Sequence, residues 1–339
     1  MQTKRLFESL ISVFTILLGL SSCVQSFDYD IGDSQPQVVV NGILVPDSLF
    51  KVHVSLSKIL SPDFDFEPVN DAHVLLYKNT HLVGQMEMSE PGVYIWNDYP
   101  QPGETYKIEV EISGYKKLSA QTTIPDKLTF SLLDYSYSGS TFFYNFELDM
   151  QDSQQSKPWV SIFSNDYKPL FDLNDRFGFP RPEPDPEPYW WLPYFDTAKI
   201  VTRLVGSLES TSPYLDDFNK RLAPFEGRYQ YDYYVRVRPP SGASTVAIEL
   251  ATGYNRGISF GAYEGDERPG VYVSVFNADE NFDRYMKAAV LNYTFGVIYA
   301  PNPFFTLQPT HSNIQNGLGL FASYTIENIK LDTPRNRRE

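Results

Sequence analysis

The chain has 339 residues, 42 acidic against 28 basic side chains and a net charge of −14, with 24 Tyr and 24 Phe. That acidic balance disfavours nucleic acid and anionic lipid head groups as partners, and a single cysteine excludes an intramolecular disulfide, so stability must come from packing. Aromatics accompanied by many Val, Ile and Thr favour half-buried pleated surfaces over helices, so a mostly β body is expected.

Lys4 and Arg5 precede an uncharged, mostly apolar run at 10–20, followed by small residues. This is the order of a secretory signal, and the run is too short to span a bilayer as a mature helix. Leu20, Ser21 and Ser22 followed by Cys23 resemble a bacterial lipobox, which implies a signal peptide at 1–22 and lipidation of Cys23. Two or three acyl chains would hold the protein to a membrane, since one chain alone binds only marginally. Processing would leave 26 basic against 41 acidic residues, a net charge of −15. Residues 23–36, with Asp28, Asp30 and Asp33, read as an acidic tether. Those acids also resemble the surface-export signals of Bacteroidota lipoproteins, although they start later than usual.

From residue 38 the pattern changes to short strands. Residues 38–45 form an apolar run interrupted by Asn41-Gly42, expected as a buried strand with a bulge. Residues 51–57 alternate strictly and place Val52, Val54 and Leu56 on one face. Further strands are expected at 72–78, 82–88, 93–96, 105–112 and 117–124, separated by Pro/Gly turns. That spacing predicts an immunoglobulin-like or transthyretin-like antiparallel β-sandwich over 37–125.

A larger β-rich domain is expected over 126–332, ahead of a basic tail at 333–339. Strands at 129–137 and 142–150, joined at Ser138-Gly139, lead it, with candidates at 159–163 and 200–205. Tyr229, Tyr231, Tyr233, Val235 and Val237 alternate onto one face; strands at 245–250, 271–276 and 321–329 complete the set. Two short helices are expected to pack on the sheet. Ser212-Pro213 carries a start signature, with Leu215, Phe218 and Leu222 forming a stripe. Asn277 and Glu280 fit a capping box, with Phe282, Tyr285, Met286, Ala289, Val290 and Tyr293 forming an apolar face.

Between 179 and 195, proline occupies every second position from Pro180 to Pro188. That excludes helix and ladder and predicts an extended arm with an aromatic tip. Trp190, Trp191, Tyr194 and Phe195 are the candidate contact residues: stiffened aromatics suit a partner or sugar surface, or they fold back over an apolar sheet face.

The stretches Val39-Val40-Asn41-Gly42-Ile43-Leu44, Pro68-Val69-Asn70-Asp71-Ala72-His73-Val74, Pro102-Gly103-Glu104-Thr105-Tyr106 and Thr122-Thr123-Ile124-Pro125 follow one another along the chain. With Pro303-Phe304 and the stretch from Ser312 to Phe321, they resemble a Bacteroidota lipoprotein family, domain of unknown function 4249. The resemblance covers most of the mature chain. It implies an outer-membrane lipoprotein, often encoded beside a TonB-dependent receptor, with no catalytic residue to carry over. The proline arm does not resemble a family-wide feature.

Enzymatic motifs are missing: no Gly-x-Ser-x-Gly elbow, phosphate-cradling loop or His-Glu-x-x-His occurs. His53, His73, His81 and His311 lack metal spacing, and the 172–178 stretch has arginine at a calcium-ligand position, so no metal or cofactor is expected. Asp63, Asp65 and Glu67, or Asp216 and Asp217, could act as acid and base, but solvated loop carboxylates are commoner. The 313–321 stretch, with Gly317 and Gly319, serves either as a ligand loop or as a turn admitting the last strand. The chain reads as a lipid-anchored, surface-exposed binding protein partnering an outer-membrane β-barrel receptor, with the periplasmic face left open. An adhesin or envelope assembly factor is the alternative, and a hydrolase without a recognisable motif ranks last.

Overall fold

The computed structural model describes residues 36–57, 66–138, 141–150, 156–169, 198–204, 207–222, 227–238, 240–253, 270–293 and 308–331. The lipobox residues Leu20, Ser21, Ser22 and Cys23, the acidic tether, the proline arm and the basic tail lie outside them, as do Asp63, Asp65 and the 172–178 stretch.

The first half contains β1 (Val38–Leu44), β2 (Phe50–Leu56), β3 (Glu67–Pro68), β4 (His73–Lys78), β5 (His81–Gln85), β6 (Glu87–Glu90), β7 (Val93–Trp96), β8 (Thr105–Glu111) and β9 (Leu118–Thr123). The second begins with β10 (Thr129–Ser138), β11 (Thr141–Asp149), β12 (Pro158–Pro169), β13 (Ala198–Leu204), β14 (Leu208–Ser210), β15 (Arg221–Leu222), β16 (Tyr229–Tyr231) and β17 (Tyr234–Arg236). It closes with β18 (Thr245–Gly253), β19 (Gly270–Ala278), helix α1 (Glu280–Leu291) and β20 (Leu318–Leu331). The fold is therefore mostly β, with one helix among the described residues.

Three sheets result. A ten-stranded sheet runs β13-β12-β19-β20-β1-β2-β7-β6, with β17 added to β12 and β3 to β2. A four-stranded sheet, β5-β4-β8-β9, covers one end of it, and a six-stranded sheet, β10-β11-β18-β14-β16-β15, covers the other. The pairings are antiparallel except β1 with β20, which is parallel. Val40, Val52, Val54, Leu76 and Ile108 fill the first core, whereas Phe146, Val160, Ile162, Ile248 and Val273 fill the second.

The fourteen-residue β20 joins the two ends. Its start pairs with β1 and its remainder with β19. Alternation sends Phe321 into the first core and Leu331 into the second from the same face. Between them, Ser323 and Thr325 are buried in a polar seam. Ser323 Oγ donates to the Thr123 carbonyl at 2.9 Å, and Thr325 Oγ1 to that of Asp126 at 3.1 Å. The 313–321 stretch is the entry to this strand. At Gly319, φ is +113°, and any Cβ would collide with the Val40 carbonyl.

Several local expectations need correction. No register shift occurs at Asn41-Gly42; Asn41 Oδ1 instead accepts from Leu320 N at 3.1 Å, and Gly42 leaves room for the Phe321 ring. The 82–88 strand is two strands in different sheets, crossing at buried Met86, whose N–H donates to Val74 O at 2.8 Å. The 229–238 run also splits between two sheets, with Tyr233 at φ 59° on the crossing. The helix expected after Ser212 is absent. There Ser210 Oγ, Ser212 Oγ and Asp216 Oδ1 accept from the N–H groups of Ser212, Tyr214 and Phe218, at 3.0, 3.3 and 3.2 Å, competing with a helical ladder. Leu215 and Phe218 still reach the cores, while Leu222 is 80% exposed. For α1 the cap is Asp279, whose carboxylate accepts from Phe282 N at 2.7 Å. Asn277 ends β19 instead: its Oδ1 accepts from Lys157 N at 2.7 Å, and its Nδ2 donates to Asp126 O at 2.9 Å.

Candidate functional site

The face of β12, β19 and β20 turned away from the second core is built in rows. Register aligns Tyr234 of β17, Ser161 of β12, Ser274 of β19 and Asn328 of β20 across neighbouring strands. Side chains two residues apart share a face, so Trp159, Phe276 and Ile326 form the next row on one side. Phe163, Tyr272 and Lys330 form the row on the other.

Helix α1 covers only part of this face. Its Phe282 ring meets Phe276 edge-on at 6.1 Å between centroids and stacks with Tyr324 at 4.8 Å. The polar row lies beyond it, at the floor of an open cleft of about 420 Å³. Ser161, Ser274 and Asn328 form that floor, Phe163 and Phe276 flank it on opposite sides, and Tyr234, Phe282, Met286, Tyr324 and Ile326 complete the lining. The size is that of a small-ligand site, typically about 300–1,000 Å³.

A buried ion-pair group fixes the helix over the sheet. Asp283 on α1 accepts from Trp159 Nε1 at 2.9 Å and from Arg236 Nε at 2.8 Å. Lys287 lies 3.5 Å from Asp283 and 3.1 Å from Asp216. Trp159 is fully buried, stacked on Phe276 and edge-on to Phe218. The charged groups behind the cleft are thus committed to one another.

The lining itself carries no carboxylate, histidine, lysine, arginine or cysteine among the described residues. Its two phenols, Tyr234 and Tyr324, have pKa values raised by burial, and Tyr324 adds to the effect on Tyr234. Both therefore stay protonated at neutral pH. The cleft offers ring faces, hydroxyls and an amide, which suits stacking and hydrogen bonding.

None of the residues singled out from the sequence falls in this cleft apart from Phe282 and Met286, expected there as helix core. Trp190, Trp191, Tyr194 and Phe195 lie outside the described residues, as does Cys23. His53, His73 and His81 are exposed in the first half, and His311 Nε2 lies 3.1 Å from Asn281 Oδ1. No group of three His, Cys, Asp or Glu able to hold a metal occurs among the described residues. Asp216 pairs with Lys287, and Asp217 with Lys220 at 2.8 Å. The rows that build the cleft depend on strand register. In sequence, Trp159-Val160-Ser161-Ile162-Phe163 shows only a strand large and apolar on both faces.

The fold and site define a mostly β protein of several antiparallel sheets and an uncharged aromatic cleft beside its described helix. A family model described as Domain of unknown function (DUF4249) matches residues 24–330, and the chain belongs to that family. No curated protein matches it.

Proposed function

We propose that this protein is a lipid-anchored outer-membrane accessory protein that holds a ligand for a TonB-dependent receptor during nutrient capture or uptake. It binds rather than catalyses. The observation that carries this is the cleft beside α1: open, of ligand size, walled by aromatic rings and lined without a titratable acid or base near neutrality. Family membership and the Leu20-Ser21-Ser22-Cys23 stretch support the location. Acyl chains on Cys23 hold the protein, and the acidic segment at 24–36 stands the folded body off the membrane, facing outward. The first body, an immunoglobulin- or transthyretin-like sandwich, acts as the support from which β20 extends into the binding half.

Mild-detergent isolation from outer membranes tests this, with mass analysis of the processed amino terminus and protease treatment of whole cells. The expected result is an acylated Cys23, co-isolation with a β-barrel receptor and cleavage on intact cells. An unmodified amino terminus would overturn the anchor. Attachment to cells or matrix with no barrel partner would point to an adhesin instead.

A further inference from the structure

The cleft gathers polar groups whose hydrogen-bonding capacity the described residues leave unused. The Ser161 hydroxyl, on a residue only 3% exposed, makes no hydrogen bond among them, and neither do the phenol hydroxyls of half-buried Tyr234 and Tyr324. At the exposed end of the floor, Asn328 accepts from Ser274 through Oδ1 and leaves its Nδ2 donors toward no described group. Solvent in the open cleft reaches these groups, so a ligand that displaces that water must offer hydrogen-bonding groups in its place.

We infer that the cleft takes a neutral carbohydrate of one or two rings, an inference that rests on the binding role proposed above. An ionic ligand finds no counter-charge in the lining: Arg236 is committed to Asp283, and Lys330 sits one row away, 5.9 Å from the Tyr272 ring centroid. A purely apolar ligand would leave the Ser161, Tyr234 and Tyr324 hydroxyls unpaired in a dry site, which is unfavourable. A sugar ring meets both demands. Its C–H faces lie against Phe163, Phe276, Phe282 or Tyr324, and its hydroxyls donate to and accept from phenol and serine hydroxyls and accept from the amide. The volume of about 420 Å³ accommodates a ligand of that size.

The test is saturation-transfer NMR on the full chain in lauryldimethylamine oxide micelles, which carry no sugar head group. The probes are maltose, cellobiose, glucuronate and the blocked peptide acetyl-Ala-Pro-Ala-amide. A neutral disaccharide should bind saturably with the strongest transfer at its ring C–H groups. Tyr234→Phe and Tyr324→Phe, which keep the rings, should each weaken it at least fivefold without moving the thermal midpoint. Wild-type affinity in both variants, or equal binding of glucuronate, overturns the assignment. Peptide binding without disaccharide binding, lost when Ser161→Phe fills the cleft of a variant that still melts cooperatively, overturns the carbohydrate class and leaves the binding role standing. If no probe binds, the carbohydrate assignment falls, and the binding role is decided by the outer-membrane isolation described above.

Discussion

The two ends of the ten-stranded sheet each have one face packed against a second sheet, and they differ in what the other face presents. At the β1–β2 end, that face carries Asn41, Lys51 and His53, all exposed, and needs no cover. At the β12–β19–β20 end, it carries Trp159, Phe276 and Tyr324, which would be unfavourable in water and are covered by α1. The helix is twelve residues long and shields only part of that face. Where its cover stops, the polar row and its aromatic walls remain open. Strict alternation thus makes a finished surface, whereas large apolar residues on both faces, aliphatic toward the second core and aromatic on the other side, demand a third layer, whose edge creates the cleft.

The largest expected contrast comes from truncating one residue at each end of the sheet. Trp159→Ala should destabilise by about 3–5 kcal/mol, removing a fully buried ring and a donor to Asp283. His53→Ala, on the exposed face, should stay within about 0.5 kcal/mol. Urea denaturation midpoints separate the two, and similar losses would dissolve the comparison.

Asp283→Leu comes next. It strands Arg236, only 8% exposed, without its carboxylate and should cost about 3 kcal/mol, with α1 amides losing protection from hydrogen exchange before those of β1. Gly319→Ala follows, at about 1–3 kcal/mol, because φ is +113° where a Cβ meets Val40 O. That variant strikes the β1–β20 pairing, so both halves should loosen together.

The smallest effects are in pH dependence, and the first half and the junction differ in sign. Lys107, then Lys117 and Tyr77, pull the Glu109 pKa down from 4.5 to about 2. Its contribution is present above 4.5 and fades as pH falls toward about 2, and Glu109→Gln should flatten that acid limb. Asp279 is the reverse: burial raises it above 3.8, against the bonds it accepts from Thr122 and Phe282. Its contribution is present below 3.8 and is lost as pH rises through the raised value. Asp279→Asn keeps a competent cap and should gain on the wild type as pH rises. Denaturation midpoints from pH 2 to 7 check both.

Much of the first half was legible because alternation there has one wet face: Val52, Val54 and Leu56 announce their side directly. Local chemistry misled where a side chain had two possible partners. Asn277 has the spacing of a cap, but its amide serves neighbouring backbone, and the adjacent Asp279 takes the helix end. Ser212 has the form of a helix start, yet serine and aspartate oxygens hold the chain in turns. The cleft was not legible at all, since Ser161, Ser274 and Asn328 are brought into line only by the pairing of three strands.

The most direct test uses the methionines as reporters of the two regions. Met286 lines the cleft and Met86 is buried in the first core. With methyl-¹³C methionine in the full chain, titration with maltose or cellobiose should move the Met286 signal saturably and leave that of Met86 in place. No movement of Met286, or equal movement of both, would contradict the cleft as the binding site.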